Sequence, residues 1–484
     1  MIGRYTSLAL IGLVLGACAM APDKLPPPSL DRHAPLAGVP VDNAARWPAA
    51  DWWKHYKDPQ LDDLEARALR EAPSLTSARS RFRVAVQRVK QARTEGGATL
   101  DANAQAQRQR LSENGFIPTQ FLGFTWYNQG DLGLQFSYDF DFWGRRRAAI
   151  EAAISQARAA QAESNAAALL LTTAVADTYF AWQGDRTRLA LARSAVEAQR
   201  RNRAIVAART KQGIENPDDL SKADEALSQA RELVLATKGS AQVRLVAVAA
   251  LLGVAPADLP DLDTRPLPKI DSGLPADAGL DLVARRPDIA ASRWRVEAAV
   301  QNVEQSRAAF FPDINLKAMA GFSSIDLGKL LAPGSRVLQF APAMHLPLFD
   351  TGSLHARYGI DRARLDNAIA DYNAAVVDAA RDAATQSLKL TLAMQRADEQ
   401  AMQVTATRQQ RDFAAARVHV GVSDRRALIA ADMQLLRQRD AAAVLAAQRA
   451  AADIALIKAL GGGYRTSPSS KASATPARTG SQSP

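Results

Sequence analysis

The chain has 484 residues, with 60 basic and 50 acidic side chains and a formal net charge of +10, and its arginines are interleaved with aspartate and glutamate rather than clustered. That spread describes a solvated surface of mixed sign and leaves no nucleic-acid footprint. Hydrophobic residues make up 47% of the sequence, but much of that share is alanine, which packs backbones closely and favours extended helical layers over one globular centre.

At the N-terminus, Arg4, the apolar run Leu8 to Leu15 and Gly16-Ala17 lead to Cys18, the sole cysteine. The run is too short to span a bilayer as a helix and reads as a removable secretion signal over 1–17. Leu15-Gly16-Ala17-Cys18 resembles the lipobox of bacterial lipoproteins, whose cysteine becomes the lipidated first residue of the mature chain. Ala19 follows, where Asp would direct inner-membrane retention, so outer-membrane sorting is expected. The competing reading is an ordinary signal peptide that happens to contain a cysteine. No other segment reaches about 18 uninterrupted apolar residues, so further membrane crossing falls to strands. Residues 18–57 read as a lipidated tether, proline-rich and extended from Ala21 to Pro48.

Asp58-Pro59 is a cap followed by proline at the first helical position, which predicts a helix to Glu71. A second is expected from Ser74 to about Arg93. Period-2 segments follow. From Leu132 to Phe142 every even position is apolar and every odd one small or polar, so one face meets oil and the other water. The same alternation occurs from Leu100 to Gln107 and from Asp313 to Ala320, and more weakly from Leu338 to Leu346, with Pro342 as an interruption. Each run has about the length a tilted strand needs to cross a bilayer. A half-buried sheet in a soluble domain is the alternative. Four strands cannot close a barrel, and open edges are not tolerated in lipid, so several copies must share the closure, and three copies of four strands would give twelve. Ser112 to Gly130 and Ser323 to Ser335 are then the outer tips.

From Gly144 to Arg209 no proline interrupts a helical pattern about 98 Å long. Ala168, Val175, Trp182, Leu189 and Val196, with Leu171 and Ala192, form a heptad seam, and Val376, Ala383, Leu390, Ala397 and Val404 form another. Each long helix ends in a turn, Gly213 to Asn216 or Gly421 to Ser423, before a return helix, with Asn216 and Pro217 as its start.

Shifted by 208 positions without a gap, the chain matches itself at Gly144 and Gly352, Arg209 and Arg417, Gly213 and Gly421, Leu220 and Leu428, and Leu252-Gly253 and Leu460-Gly461. The expected fold is therefore internally duplicated, mainly α with membrane β. Repeat 1 spans 58–253, with a β-hairpin at about 99–142 and a helical hairpin at 144–252. A linker covers 254–278. Repeat 2 spans 279–463, with a β-hairpin at about 313–348 and a helical hairpin at 352–460. Residues 464–484 read as a disordered tail.

Arg285-Arg286-Pro287-Asp288-Ile289 and Ala308-Ala309-Phe310-Phe311-Pro312-Asp313-Ile314 resemble the signature of TolC-like outer-membrane factors, in their lipoprotein (NodT/OprM-like) branch that serves resistance-nodulation-division efflux pumps. Trp52-Trp53, Asp58-Pro59 and Asp141-Phe142-Trp143-Gly144-Arg145 are similar to the same branch. The resemblance implies a homotrimer with a twelve-stranded barrel continuous with a helical coiled-coil barrel, a periplasmic adaptor and an inner-membrane pump. It places adaptor docking at Arg209, Gly213 and Leu220 and at Arg417, Gly421 and Leu428. A purely structural role in the hairpins is equally open to these residues. Relatives close the lower end with acidic residues where this chain has Ala427 and Ala430. Asp218 and Asp219, or Asp424 with Arg425 and Arg426, are the candidate gate here, acting through ion pairs between chains; solvated surface charge is the competing reading of the same residues.

No phosphate loop, nucleophile elbow or zinc motif is present, and the five histidines are scattered, so neither an enzyme nor a cofactor is expected beyond lipid on Cys18. The sequence reads as a passive exit duct for small molecules. A duct for polypeptides and a non-porous lipid-anchored scaffold are the other readings.

Overall fold

A computed structural model describes residues 21–31, 33–112, 119–270, 272–347 and 351–465. The expected secretion signal over 1–17, Cys18 and residues 466–484 lie outside the described residues. Apart from the single helical turn Thr119–Leu122 and short 3-10 turns, the elements in chain order are α1 (Pro59–Glu71), α2 (Pro73–Thr94), β1 (Thr99–Arg110), β2 (Trp126–Phe140), α3 (Arg145–Lys211), α4 (Pro217–Leu252), α5 (Ala278–Arg285), α6 (Pro287–Ala308), β3 (Asp313–Ser324), β4 (Arg336–His345), α7 (Thr351–His419) and α8 (Arg425–Ala459). The order of two helices, two strands, a long helix and a return helix thus occurs twice. Two compact units draw on both halves. One takes Arg81–Ala160 and Ser292–Tyr372 with the described residues to Leu30; the other takes Asp31–Ser80, Gln161–Ala291 and the chain from Asn373.

The first unit carries one antiparallel sheet in the order β1-β2-β3-β4. Its strands depart from expectation at the ends. Trp126 to Gly130 pair with Arg110 to Ala106 and belong to β2 rather than to a loop. Phe142 falls beyond β2. Pro342 does not break β4 but pairs with Leu316; β4 is the outer strand of the sheet within one chain, where proline is tolerated.

The second unit is built around long helices. The seam residues Leu171, Val175, Trp182, Leu189, Ala192 and Val196 are buried, as are Val376, Ala383 and Leu390. Ala168, Ala397 and Val404 are half-buried. Val196 joins Leu227 and Ala230 of α4 in one cluster, and Arg244 of α4 meets Asp185 of α3 at 2.6 Å. Part of α4 is apolar enough, by length and composition only, to cross a membrane. The Arg244 pair and the buried Thr237, Ala241 and Val248 instead place it against the long helix.

Among its described residues the proline-rich stretch has neither helix nor named strand, but it is pinned. Asp42 N donates to Leu274 O at 2.8 Å and Ala34 N to Gly279 O at 3.0 Å. Trp52–Tyr56 form a 3-10 turn with both tryptophans and Tyr56 buried. Tyr464, the first residue of the expected tail, packs on Ala162, Ala290 and Ala291.

Candidate functional site: sheet faces and helical turns

The sheet presents two unlike faces. Register places Leu134 beside Ala102 and Ala320, and Phe136 beside Leu100 and Ala318, while Ala318 and Ala320 pair onward with Phe340 and Leu338. On this face Leu100, Leu134, Leu338, Phe340 and Met344 are exposed. The opposite face is polar and bonded across the strands. Thr99 and Ser137 hydroxyls lie 2.7 Å apart, Gln107 donates to Gln129 at 3.0 Å and Ser323 donates to Asp131 at 2.6 Å. An oily face left exposed beside a satisfied polar face is the pattern of a strand between lipid and water. The outer edges of β1 and β4 have no strand partner among the described residues.

Two signature segments meet below the strands, within the same unit. Asp141 accepts from the backbone N–H of Arg146 at 3.0 Å and of Arg147 at 2.9 Å, capping α3. The Trp143 ring stacks on Phe311 at 4.7 Å, and its Nε1 donates to Pro312 O at 2.8 Å. Phe310 is buried against His355. In the second unit, Arg286 binds Asp288 at 2.6 Å and donates to Ala459 O at 3.1 Å, tying the start of α6 to the end of α8. Burial alone would raise the Asp288 pKa, but the Arg286 hydrogen bond and charge outweigh it and hold the carboxyl below its ordinary value.

The two helical turns converge at one end of the second unit. Gly213 and Gly421 take φ of 71° and 75°. Ile214 N then donates to Arg209 O at 2.9 Å, and Val422 N to Arg417 O at 2.9 Å, so each glycine terminates a long helix in the left-handed conformation. Asn216 accepts from Asp219 N at 3.1 Å and Asp424 from Arg426 N at 3.2 Å, capping α4 and α8.

Among the candidate gate residues, Asp218 pairs at 2.6 Å with its own Lys222, both groups about two-thirds exposed. Asp424 lies 3.3 Å from Arg209. Arg425 is exposed, and Leu220 and Leu428 are half-buried.

Glu215 is the residue that sequence reasoning missed. Its carboxylate lies 2.9 Å from Arg209 and 2.6 Å from Arg426, with its side chain only 10% exposed. The signal was a single acid in a turn whose counterpart, Ser423, is neutral. Ile214, Val420 and Val422 around the turns are exposed.

Deeper in the second unit two carboxyls among the described residues are fully buried. Asp453 accepts from the Tyr56 hydroxyl at 2.6 Å, and burial raises its pKa. Glu65 of α1 has no hydrogen-bond partner for either oxygen among the described residues, and burial with the Asp62 charge pushes its pKa up to about 9. Among the described residues no cluster of three or more His, Cys, Asp or Glu could hold a metal ion.

Strands with one oily and one polar face, followed by long paired helices, are the elements of a TolC-like outer-membrane channel. The chain belongs to the outer membrane efflux protein family, whose profile matches residues 64–254 and 281–462. The multidrug resistance outer membrane protein MdtP of Escherichia coli K12 is 32% identical over 97% of this chain and 99% of that protein. The outer membrane protein VceC of Vibrio cholerae is 31% identical, with a TM-score of 0.75 over 87% of this chain and all of that one. The open state of the Neisseria gonorrhoeae MtrE outer membrane channel is 27% identical, with a TM-score of 0.78 over 92% of this chain and 98% of that one.

Proposed function

We propose that this protein is the passive exit duct of a tripartite efflux system, conducting drugs or other toxic small molecules outward from an inner-membrane pump and a periplasmic adaptor. The observation that carries the reading is the sheet with one exposed oily face, one hydrogen-bonded polar face and two open edges. Four strands leave those edges without partners in lipid, which costs several kcal/mol per unsatisfied group. A homotrimer closes them into a twelve-stranded barrel, with β1 of one copy beside β4 of the next. Leu235, Val243 and Val246 on α4, and Leu388, Leu392 and Met402 on α7, leave apolar surface exposed along the helices. That surface suits packing against further copies in a helical barrel.

On this reading the chain arose by internal duplication and lipid on Cys18 anchors it to the outer membrane. The two turns, with exposed Ile214, Val420 and Val422 beside Arg209 and Arg417, receive the adaptor. Asp218, Asp219, Asp424, Arg425 and Arg426 line the constriction at that end. Transport requires no covalent chemistry or cofactor from this chain, since the pump supplies the energy.

Purified full-length protein in planar bilayers tests the reading. A duct conducts and runs as a detergent-requiring trimer; a silent, detergent-independent monomer removes the proposal and leaves a scaffold. Unchanged conductance in an Asp218→Ala, Asp219→Ala double variant removes those two residues from the gate. Deleting the gene and assaying drugs, dyes, organic acids and metals identifies the cargo.

A further inference from the structure

Beneath the sheet, within the first unit, lies a cleft of about 410 Å³ lined by Arg145, Asn302, Gln305, Arg357 and Arg364 together with Ser306 and Asp361. Its one carboxylate is already engaged, since Asp361 accepts from Ser306 and pairs with Arg364 at 3.0 Å. Arg145 and Arg357 have no ion-pair or hydrogen-bond partner among the described residues, and neither do the carboxamides of Asn302 and Gln305. Two free guanidinium groups and two free amides thus converge on one hollow from α3, α6 and α7. Guanidinium is the side chain best matched to a phosphate or carboxylate, because its planar fork donates two parallel hydrogen bonds.

The same Arg145, Gln305 and Arg357 also line an adjoining cleft of about 500 Å³, which reaches Phe140 at the end of β2, His345 at the end of β4, Trp143, Phe311 and Pro347. Trp143 and Phe140 are partly exposed there, and Phe142 nearby is 65% exposed. Glu95, Asp139, Asp141 and Asp313 line this upper cleft as well, against the added Arg146, so the unbalanced positive charge concentrates in the lower one. A ligand that fits both parts has an anionic phosphate below and apolar substance above. Aromatic rings at the ends of membrane strands mark the depth of the lipid headgroups.

We propose that Arg145 and Arg357, with Asn302 and Gln305, bind the phosphate of an anionic phospholipid from the periplasmic leaflet of the outer membrane. The proposal rests on the outer-membrane duct reading above. The lipid phosphate fills the lower cleft and its glycerol and first methylenes lie along Trp143 and Phe140.

Native mass spectrometry of the full-length protein in detergent tests this with added phosphatidylglycerol, phosphatidylethanolamine or inorganic phosphate. The expected result is retention of phosphatidylglycerol over phosphatidylethanolamine. Retention should fall about tenfold or more in an Arg145→Gln, Arg357→Gln double variant, which loses the charge-assisted hydrogen bonds. An Arg381→Gln control, on an exposed arginine already paired with Asp378, should retain lipid as wild type does. Equal retention by the double variant overturns the proposal. Full displacement by equimolar inorganic phosphate also overturns it, and makes a free anion the ligand. Loss of the oligomer in the double variant alone overturns it as well, by assigning the arginines to a neighbouring copy. A wild-type protein that conducts but retains no lipid sinks only this site, whereas one that neither conducts nor assembles sinks the duct reading itself.

Discussion

The Arg426 guanidinium lies 2.6 Å from the Glu215 carboxylate across 211 positions of chain, joining the second helical turn to the first. Arg209 approaches the same carboxylate at 2.9 Å and Asp424 at 3.3 Å. Every member of this network sits within a few residues of a left-handed glycine. The backbone hydrogen bonds at these glycines stay within each turn, whereas the Arg209–Asp424 and Arg426–Glu215 pairs reach from one turn to the other.

Removing the shared carboxylate should free both turns. Glu215 is 10% exposed while its arginine partners are 39% exposed, a setting between a surface pair and a buried one. Glu215→Gln is expected to cost about 1–3 kcal/mol locally. Hydrogen exchange should quicken at 209–220 and 417–428 together, and single-channel conductance should rise. Faster exchange confined to the first turn would show that the two turns are not coupled through this residue.

The glycines at the turns act through conformation alone. A Cβ built on Gly213 or Gly421 meets nothing within 4 Å, yet both residues hold positive φ. Gly213→Ala and Gly421→Ala should each cost about 1–2 kcal/mol by left-handed strain. Asn at either position, which tolerates that region better, should cost less. Exchange protection of the Ile214 and Val422 amides measures the difference, and equal loss for Ala and Asn would refute the conformational account.

Much of this architecture is written in local pattern. Alternation at Leu132 to Phe140 and the unbroken heptads through Val175, Trp182 and Leu189 prescribe strand and helix because period 2 and period 3.5 each leave one face apolar. Asp58, Asn216 and the two turn glycines mark helix ends by the same local chemistry. Pairings between distant segments were not legible. Nothing in the order of residues says that Trp143 stacks on Phe311 or that Glu215 meets Arg426, since those contacts depend on how helices and strands pack. The start of β2 at Trp126 was hidden for a related reason: the Trp126 to Gly130 run has no clean alternation, and its pairing to β1 decides its state.

Glu65 predicts how stability varies with pH. Its native pKa of about 9 stands above the ordinary value of 4.5, so the folded chain holds a proton that the unfolded chain releases. Its stabilising contribution is fully present below about pH 4.5 and is lost as pH rises toward 9, with a slope of about 1.4 kcal/mol per pH unit for one proton. Glu65→Gln keeps the neutral shape and removes the titration. Denaturant midpoints between pH 5 and 9 should fall for wild type and fall less for the variant. Parallel curves would mean that Glu65 does not stay protonated in the native protein.

The sheet offers the sharpest steric test. Gly321 of β3 faces Gly133 of β2 in the register, and a Cβ there would lie 2.3 Å from Leu132 O and 2.6 Å from Gly133 Cα. Those neighbours are backbone and cannot rotate aside. Gly321→Val should therefore force β2 and β3 apart at a cost of about 3 kcal/mol or more, and it should do so at the middle of the sheet, where both strands are needed to separate lipid from water. Gly334, beyond β3, has nothing within 4 Å of a built Cβ, so Gly334→Ala serves as the matched control. The expected outcome is loss of conductance and of the assembled species on native gels for Gly321→Val, with both retained for Gly334→Ala. If the valine variant conducts normally, then β2 and β3 do not pair in the membrane as they do in this fold, and the wall of the channel must be built in another register.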